Sequence, residues 1–236
     1  MAASATTIRN EFRALGDEKI AEHSKRFFKT GKGEYGEGDQ FLGIRVPVVR
    51  KQVRRHRDAS LKAIGSFLGS PWHEERLFAV FSLADRFKRS NVAEQREIFE
   101  LYMANLHRVN NWDLVDGSAH LIVGPWLENR SRRRLYQMAR SRRLWTRRIA
   151  IMSTYHYIRM SDFDDTLAIA EILIDDDHDL IHKATGWMLR EVGNRDRKAE
   201  EAFLRAHYKA MPRTMLRYAI EKFPEYRRKA YLAGRV

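Results

Sequence analysis

The segment WDLVD, residues 112–116, carries the side chains of this sequence that are best suited to catalysis. Trp112 and Asp116 are four residues apart, so on a helix they share one face. Asp116 is unusual within a helix, because aspartate has poor helix propensity and a buried carboxylate needs a partner. The pair Asp113 and Asp116 could act as the two carboxylates of a glycosidase or bind a metal ion. The alternatives are that Trp112 is a core residue and that Asp113 is solvated or bridged to an arginine.

Arginine dominates the charge of the chain. The formal net charge is +13, and 32 of the 44 basic residues are arginine, whose guanidinium group binds phosphate bidentately. Nine arginines lie within residues 130–148, and Glu128 lies just outside. This segment is the best candidate for contacts with a phosphate backbone, and clustered arginine in a basic chain is typical of nucleic-acid binders. Arg54, Arg55 and Arg57 form a second cluster; the alternative is that these are solvated basic faces.

The residues that several other kinds of functional site require are absent from the sequence. The chain of 236 residues contains no cysteine, which excludes disulfides, cysteine-bound zinc, iron–sulfur clusters and a catalytic thiol. The glycine-rich stretch 31–40 lacks the Lys-Ser/Thr ending of a phosphate-binding loop, and His178 and His182 lack a third metal ligand. We therefore expect no metal and no cofactor. Neither a membrane helix nor a signal peptide is recognisable, so we expect a soluble, intracellular protein with no membrane partner.

The elements that would position these residues are helices. Apolar side chains recur at helical spacing, and alternating strand patterns are absent, so the sequence predicts an all-α fold. We predict that Ser70 caps a helix whose first turn contains Pro71. We also predict that Gly193 and Asn194 end a helix. The predicted helices are 71–88, 144–158, 180–192 and a last strong helix that Pro212 opens and Pro224 ends.

Four helical segments also align without gaps: EERLFAVFSL, WTRRIAIMST, IHKATGWMLR and TMLRYAIEKF. The matched basic residues are Arg76, Arg148, Lys183 and Arg217, at separations of 72, 35 and 34 residues. The first separation is two periods of 36, and Trp112 takes the intervening place. The predicted partner helices are 93–106, 131–140, 162–174 and 197–209. A helix pair repeated every 34–36 residues indicates a HEAT-like helical-repeat solenoid, here a single domain of residues 1–236.

The repeat register predicts which side chains share a surface. Equivalent positions in stacked repeats line one face, and a solenoid curves, so that face can be a concave basic groove. One row holds Trp112, Arg148, Lys183 and Arg217, and the row one helical turn further on holds Asp116, Met152, Trp187 and Glu221. We therefore expect Trp112, Asp116, Arg148 and Trp187 to open to the same surface.

On these residues the chain resembles the HEAT-like-repeat DNA glycosylases of the alkylation-repair (AlkD) family, over nearly its whole length. The matching stretches are FLGIRVP at 41–47, WDLVD at 112–116, WTRRIAI at 145–151 and KATGWMLRE at 183–191. The resemblance implies that Asp116 is the catalytic carboxylate, that Trp112 and Trp187 flank the sugar of the lesion, and that Arg148 contacts DNA. The basic segment and the repeat register add further expected DNA contacts at Arg147, Arg142, Arg143, Lys183, Arg190 and Arg76.

Two departures from the family pattern concern the substrate pocket. Phe27 stands near the place where a tyrosine can line the pocket, and Asn111 precedes Trp112 where a second aromatic residue is common. Both changes bear on substrate range and leave Asp116 in place.

The resemblance implies an enzyme of base excision repair that hydrolyses the N-glycosidic bond of N3- or N7-alkylated purines in duplex DNA. Such a base is already cationic, so it can leave without a protonating acid, and a carboxylate stabilises the oxocarbenium-like sugar and orients water. Whether the base is flipped out of the stack stays open. We expect a monomer that acts on double-stranded alkylated DNA in the bacterial cytoplasm at the nucleoid.

Two rival functions use the same fold. One is a non-catalytic HEAT-repeat protein that binds DNA or an RNA such as tRNA through its arginines, with affinity and no base release. The other is a protein-binding scaffold, which would show no salt-sensitive affinity for DNA.

Overall fold

A computed structural model describes residues 3–236 of the chain. Helices occur throughout this range, which contains no strand and a single isolated bridge between Gln40 and Trp72. The all-α prediction is therefore confirmed. The chain divides into two compact units, unit 1 up to Ile122 and unit 2 from Val123.

Unit 1 is built around one long central helix. Its helices are α1 (Ala5–Arg13), α2 (Glu18–Phe27), α3 (Val46–Arg55), α4 (Leu61–Leu68), α5 (His73–Arg89), α6 (Val92–Ala104) and α7 (Trp112–Asp116); α8 (Ala119–Leu127) contains the boundary between the units. Helix α5 packs against α3, α4, α6 and α7. The Phe78 ring of α5 lies 5.6 Å from that of Phe12 and 5.0 Å from that of Phe67, and all three are fully buried.

The FLGIRVP stretch is a tight turn held by one carboxylate. Glu74, at the start of α5 and 3% exposed, accepts hydrogen bonds from the backbone N–H groups of Leu42, Gly43 and Ile44 at 2.8, 2.8 and 3.1 Å. Gly43 has φ +79°, and a Cβ there would lie 1.9 Å from the carbonyl oxygen of Asp17. The FLGIRVP motif is therefore explained by the structure of this turn. The turn needs a glycine at position 43 and a buried acceptor, Glu74, for its backbone N–H groups.

Unit 2 shows the packing order of a helical repeat. After α8 its helices are α9 (Arg133–Ala139), α10 (Leu144–Ser153), α11 (Tyr155–Ile158), α12 (Asp164–Ile172), α13 (Asp179–Gly193), α14 (Arg197–His207), α15 (Arg213–Ala219), a 3₁₀ turn (Ile220–Lys222) and α16 (Glu225–Leu232). The aligned helices α10, α13 and α15 pack in succession, and their partners α9 and α12 pack on one another and on that row. This neighbour-to-neighbour order is that of stacked helix pairs.

The predicted helices match the observed ones, with differences at their ends. The first begins at His73 instead of residue 71, and Ser70 is not its cap: the Ser70 hydroxyl accepts from the Trp72 N–H at 3.0 Å. The predicted helix 144–158 is two helices that meet at Thr154. Pro224 ends one helix as expected, but it also begins α16, which the sequence pattern did not predict.

Candidate functional site

Helix α7 brings Trp112 together with the predicted pocket residue Phe27. The Asn111 side chain accepts from the Trp112 N–H at 2.9 Å and so caps the helix. The Trp112 ring is half-buried, stacks on Phe28 with centroids 5.3 Å apart, and meets the edge of Phe27 at 5.9 Å. The Phe27 side chain is 56% exposed. Unit 1 therefore presents an aromatic surface beside α7.

The two carboxylates of α7 have different surroundings. Asp113 accepts from the Nε2–H of His73 at 2.8 Å, so the expectation that it is solvated or bridged to an arginine is wrong. Asp116 is half-buried and lies one helical turn from Trp112 on the same face. Burial, and to a smaller degree the Asp116 charge, raises the pKa of the Tyr102 hydroxyl far above its usual range. Asp116 thus lies near the buried phenol of Tyr102.

Glycine follows Asp116 for a steric reason. A Cβ on Gly117 would lie 2.4 Å from a ring carbon of Phe81 and 3.0 Å from the Asp113 carbonyl oxygen. The guanidinium of Arg50, an exposed residue, lies over the Phe81 ring at 4.2 Å from its centroid. The end of α7 is therefore fixed against a packed aromatic ring.

A buried ionic network lies behind α7. His73 is 1% exposed, and its Nδ1–H reaches Asp39 at 3.2 Å, while Arg76 donates to Asp39 at 2.7 Å. Burial alone would lower the pKa of His73, but the carboxylates of Asp113 and Asp39 outweigh it and raise that pKa to about 9. Burial would raise the pKa of Asp39, but His73 and Arg76 hold it below its usual value. At neutral pH His73 is therefore charged in this network, which also contains Arg76, Asp39 and Asp113.

Arg76 does not fit its predicted role as a DNA contact. It is 2% exposed, and besides Asp39 its guanidinium donates to the carbonyls of Ser70 and Pro71 at 2.9 and 3.1 Å. A side chain enclosed by its own unit in this way cannot reach a phosphate without unfolding its surroundings. The repeat alignment placed Arg76 correctly on a helix. However, a matching position in the repeat did not mean that the side chain is exposed to solvent.

In unit 2, Trp187 lies on α13 in a more polar environment than Trp112. It is half-buried, its Nε1–H donates to Glu191 at 3.2 Å, and its ring lies 6.5 Å from that of Tyr155. Two predicted DNA contacts on the same helix form ion pairs within the unit. Lys183 pairs with Asp179 at 2.7 Å, and Arg190 pairs with Glu221.

The arginine segment 130–148 separates into internal and exposed members. Arg148 is 5% exposed and donates to the carbonyl of Leu180, and Arg147 forms a two-pronged ion pair with Asp176. In contrast, Arg142 and Arg143 are exposed, and no ion pair of either is found among the described residues. These two remain the best candidates of the segment for phosphate contact.

Sequence reasoning missed the network of Asp39 and His73. The usable signal was the run His73–Arg76, four polar residues at the start of a helix that is otherwise largely apolar. All four are buried. Asp39 gave no such signal, because it lies in a polar glycine-rich loop.

With this geometry in place, the comparisons with known proteins identify the family. A sequence model of the DNA alkylation repair enzymes matches residues 8–223. The chain belongs to this family. A solved structure described as a predicted DNA alkylation repair enzyme from Enterococcus faecalis superposes with a TM-score of 0.69 over 89% of this chain and 98% of that one. Its sequence is 15% identical, so that likeness concerns the fold alone. No curated protein gives a significant match.

Membership of the DNA alkylation repair enzymes gives the protein a role in DNA repair and DNA as a partner. Within residues 3–236 no helix has the length and apolar character needed to cross a membrane. The same residues contain no group of three or more His, Asp or Glu side chains placed to hold a metal ion.

Proposed function

We propose that this DNA alkylation repair enzyme is a DNA glycosylase of the HEAT-like-repeat type. It hydrolyses the N-glycosidic bond of cationic N3- or N7-alkylated purines in duplex DNA, as the first step of base excision repair. The proposal rests on the family, on the WDLVD and KATGWMLRE motifs, and on the arrangement of α7.

One observation carries the assignment of the catalytic group. Asp113 accepts a hydrogen bond from the buried imidazole of His73 at 2.8 Å, so it is turned toward the interior of unit 1. Asp116 shares the face of α7 with Trp112, whose ring meets that of the exposed Phe27. A carboxylate next to an aromatic surface is suited to a sugar that becomes cationic, because both the charge and the ring faces attract a cation.

The reaction needs only a few groups from this chain. The alkylated base leaves with the electron pair of the glycosidic bond, which neutralises its positive charge. Asp116 stabilises the oxocarbenium-like sugar that remains and orients a water molecule, whose oxygen bonds to the anomeric carbon and whose proton passes to the carboxylate. Phe27 has no hydroxyl, so this wall of the pocket contacts the substrate by stacking alone.

Several residues of unit 2 belong to the motifs or to the basic segment and are suited to contact DNA. We propose that Trp187 contacts DNA and that Arg142 and Arg143 bind backbone phosphates. Arg148 reaches DNA only through the small part of its side chain that is exposed. Lys183 is paired with Asp179 and Arg190 with Glu221. Each must break its ion pair before it can bind a phosphate, and breaking the pair reduces the net binding energy.

The decisive experiment is Asp116→Asn. The amide is nearly isosteric and removes the charge, so single-turnover release of 7-methylguanine at saturating enzyme should fall by roughly 10²–10³-fold. Affinity for the same duplex should be unchanged or slightly higher, because one charge that repels phosphate is gone. The matched control is Asp58→Asn, an exposed aspartate of unit 1, which should keep the wild-type rate.

Three results would contradict the proposal or part of it. Full activity in Asp116→Asn would remove the carboxylate mechanism. Tight binding of alkylated duplex by the wild type without release of base would favour the non-catalytic DNA-binding protein. An absence of salt-sensitive DNA affinity would favour the protein-binding scaffold.

A further inference from the structure

Helix α7 is too short to position its own side chains. It has five residues, and isolated helices shorter than about 12–15 residues are marginal in water. The orientation of Trp112 and Asp116 must therefore come from what α7 contacts. Within residues 3–236, His73 reaches both the helix and the aromatic stack beside it.

The first connection is through hydrogen bonds. The ring of His73 donates from Nε2 to Asp113 in the first turn of α7 and from Nδ1 to Asp39. Asp39 in turn accepts from the side chains of Asn110 and Asn111 at 3.0 and 3.3 Å. Asn111 is the residue that caps Trp112. His73 and Asp39 together therefore hold both the residues that precede α7 and its first turn.

The second connection is through ring contacts. The His73 ring stacks on Phe41 with centroids 4.7 Å apart and lies 4.8 Å from Phe28. Phe28 stacks on Trp112 at 5.3 Å. The imidazole thus contacts the aromatic stack that ends at Trp112. It belongs to α5, the helix against which α3, α4, α6 and α7 pack.

We infer that His73, together with Asp39, is a positioning residue of the repair reaction, which sets the orientation of Asp116 and Trp112 by fixing α7 at its first turn. The inference rests on the proposed function for its kinetic measurement, since the two groups it positions are those assigned to the sugar. His73 itself is buried and does not touch DNA. A displacement of about 1 Å at a reacting group can reduce the rate by about 10²-fold, so loss of this connection should act on the chemical step.

The test compares His73→Gln with a matched control, Glu75→Gln. Glu75 lies two residues further on the same helix, is fully buried, and accepts from Arg9 and Arg13 of α1, with no bond to α7. Both variants therefore remove one buried ionic group from the start of α5. With both folded by circular dichroism, His73→Gln should release 7-methylguanine about 10–100-fold more slowly in single turnover, and Glu75→Gln within about twofold of wild type. The Kd for DNA should be unchanged in both.

A second measurement does not depend on catalysis. The indole ¹H–¹⁵N resonance of Trp112, assigned with Trp112→Phe, should shift or broaden in His73→Gln and stay in place in Glu75→Gln. If His73→Gln does not fold, the pair His73→Gln/Asp113→Asn replaces it, because that variant leaves no unpaired charge between the two positions, and the same changes are expected.

The possible outcomes separate this inference from the proposed function. A His73 variant with an unmoved Trp112 resonance and a wild-type rate overturns the inference. Equal losses in the His73 and Glu75 variants also overturn it, because they would reflect general stability. A shifted Trp112 resonance in the His73 variant, combined with full activity of Asp116→Asn, supports the positioning of α7 and contradicts the assignment of Asp116.

Discussion

The run His73–Arg76 in unit 1 and the segment 130–148 in unit 2 are both rich in charge, but they differ in how many of their charged side chains are buried. In the first, every side chain is buried and its charges are met by groups of unit 1, such as Asp39 and Asp113. In the second, Arg147 and Arg148 turn inward, whereas Arg142 and Arg143 point to solvent. A charged residue at or just before the start of a helix can therefore be buried or exposed. It is buried where the surrounding unit supplies partners for its charge.

The largest expected difference between the two charged regions is in the effect of Arg76→Met on stability. The change removes one of the two cations that pair with the buried Asp39 and leaves His73 as the other. Removing one partner of a buried ion pair typically costs about 3–5 kcal/mol. The free energy of unfolding, measured by urea denaturation, should fall by that amount. Arg142→Met should change it by less than about 0.5 kcal/mol, as exposed substitutions do. Equal effects at the two positions would mean that burial does not separate the two charged regions.

The pH dependence of stability tests the same region without changing the Arg76 side chain. The pKa of His73 is about 9 in the folded protein against about 6.5 when unfolded. Its stabilising contribution is therefore complete below pH 6.5 and is lost as pH rises through 9, a change on the order of 3 kcal/mol. The groups that face His73 are Asp113, Asp39 and Arg76.

The measurement for this prediction is the difference between wild type and His73→Gln in unfolding free energy at pH 6 and pH 10. Other groups that titrate in this range, including the buried Glu200 with its pKa raised to about 8 by burial, change both proteins alike. A difference that is independent of pH would show that His73 is not charged in the folded protein.

The smallest expected effect concerns the exposed arginines. Each phosphate contact contributes about −0.9 to the slope of log affinity against log salt concentration. Arg142→Ala/Arg143→Ala should therefore flatten that slope by about 2 and weaken binding to all duplex sequences alike. Arg147→Ala is the control, because its guanidinium is bound to Asp176 and its loss should leave the slope unchanged. An unchanged slope in the double variant would place the DNA backbone elsewhere.

Much of the fold could be predicted from the sequence because helix periodicity is a local property. The aligned segments at Arg148, Lys183 and Arg217 lie on helices that pack in succession in unit 2. The break at Thr154 could not be predicted, because the apolar pattern continues across it. Helix α16 was missed because its sequence is strongly polar and its one buried side chain, Tyr231, depends on tertiary contacts.

The candidate site was predictable only where a motif fixes it. The family resemblance assigned Phe27 to the substrate pocket and Trp112 to the sugar of the lesion, and the centroids of their rings lie 5.9 Å apart. The partner of Asp113 could not be predicted, since His73 is 40 residues away and the pair forms only when α5 packs on α7. The burial of Arg76 depends on the same packing. Ion pairs between residues far apart in the chain are therefore the part of this site that cannot be predicted from a single sequence.

The contact between Gly117 and Phe81 has a consequence for how this protein can evolve. Since the ring occupies the place of a Cβ, a saturation library at position 117 should return glycine almost alone, and the residue after Asp116 offers no route to new specificity. Position 27 is different, because its side chain is more than half exposed and can change without moving the backbone. For the function proposed above, substitutions that change the range of alkylated bases should therefore occur at position 27, while the turn after Asp116 keeps its glycine.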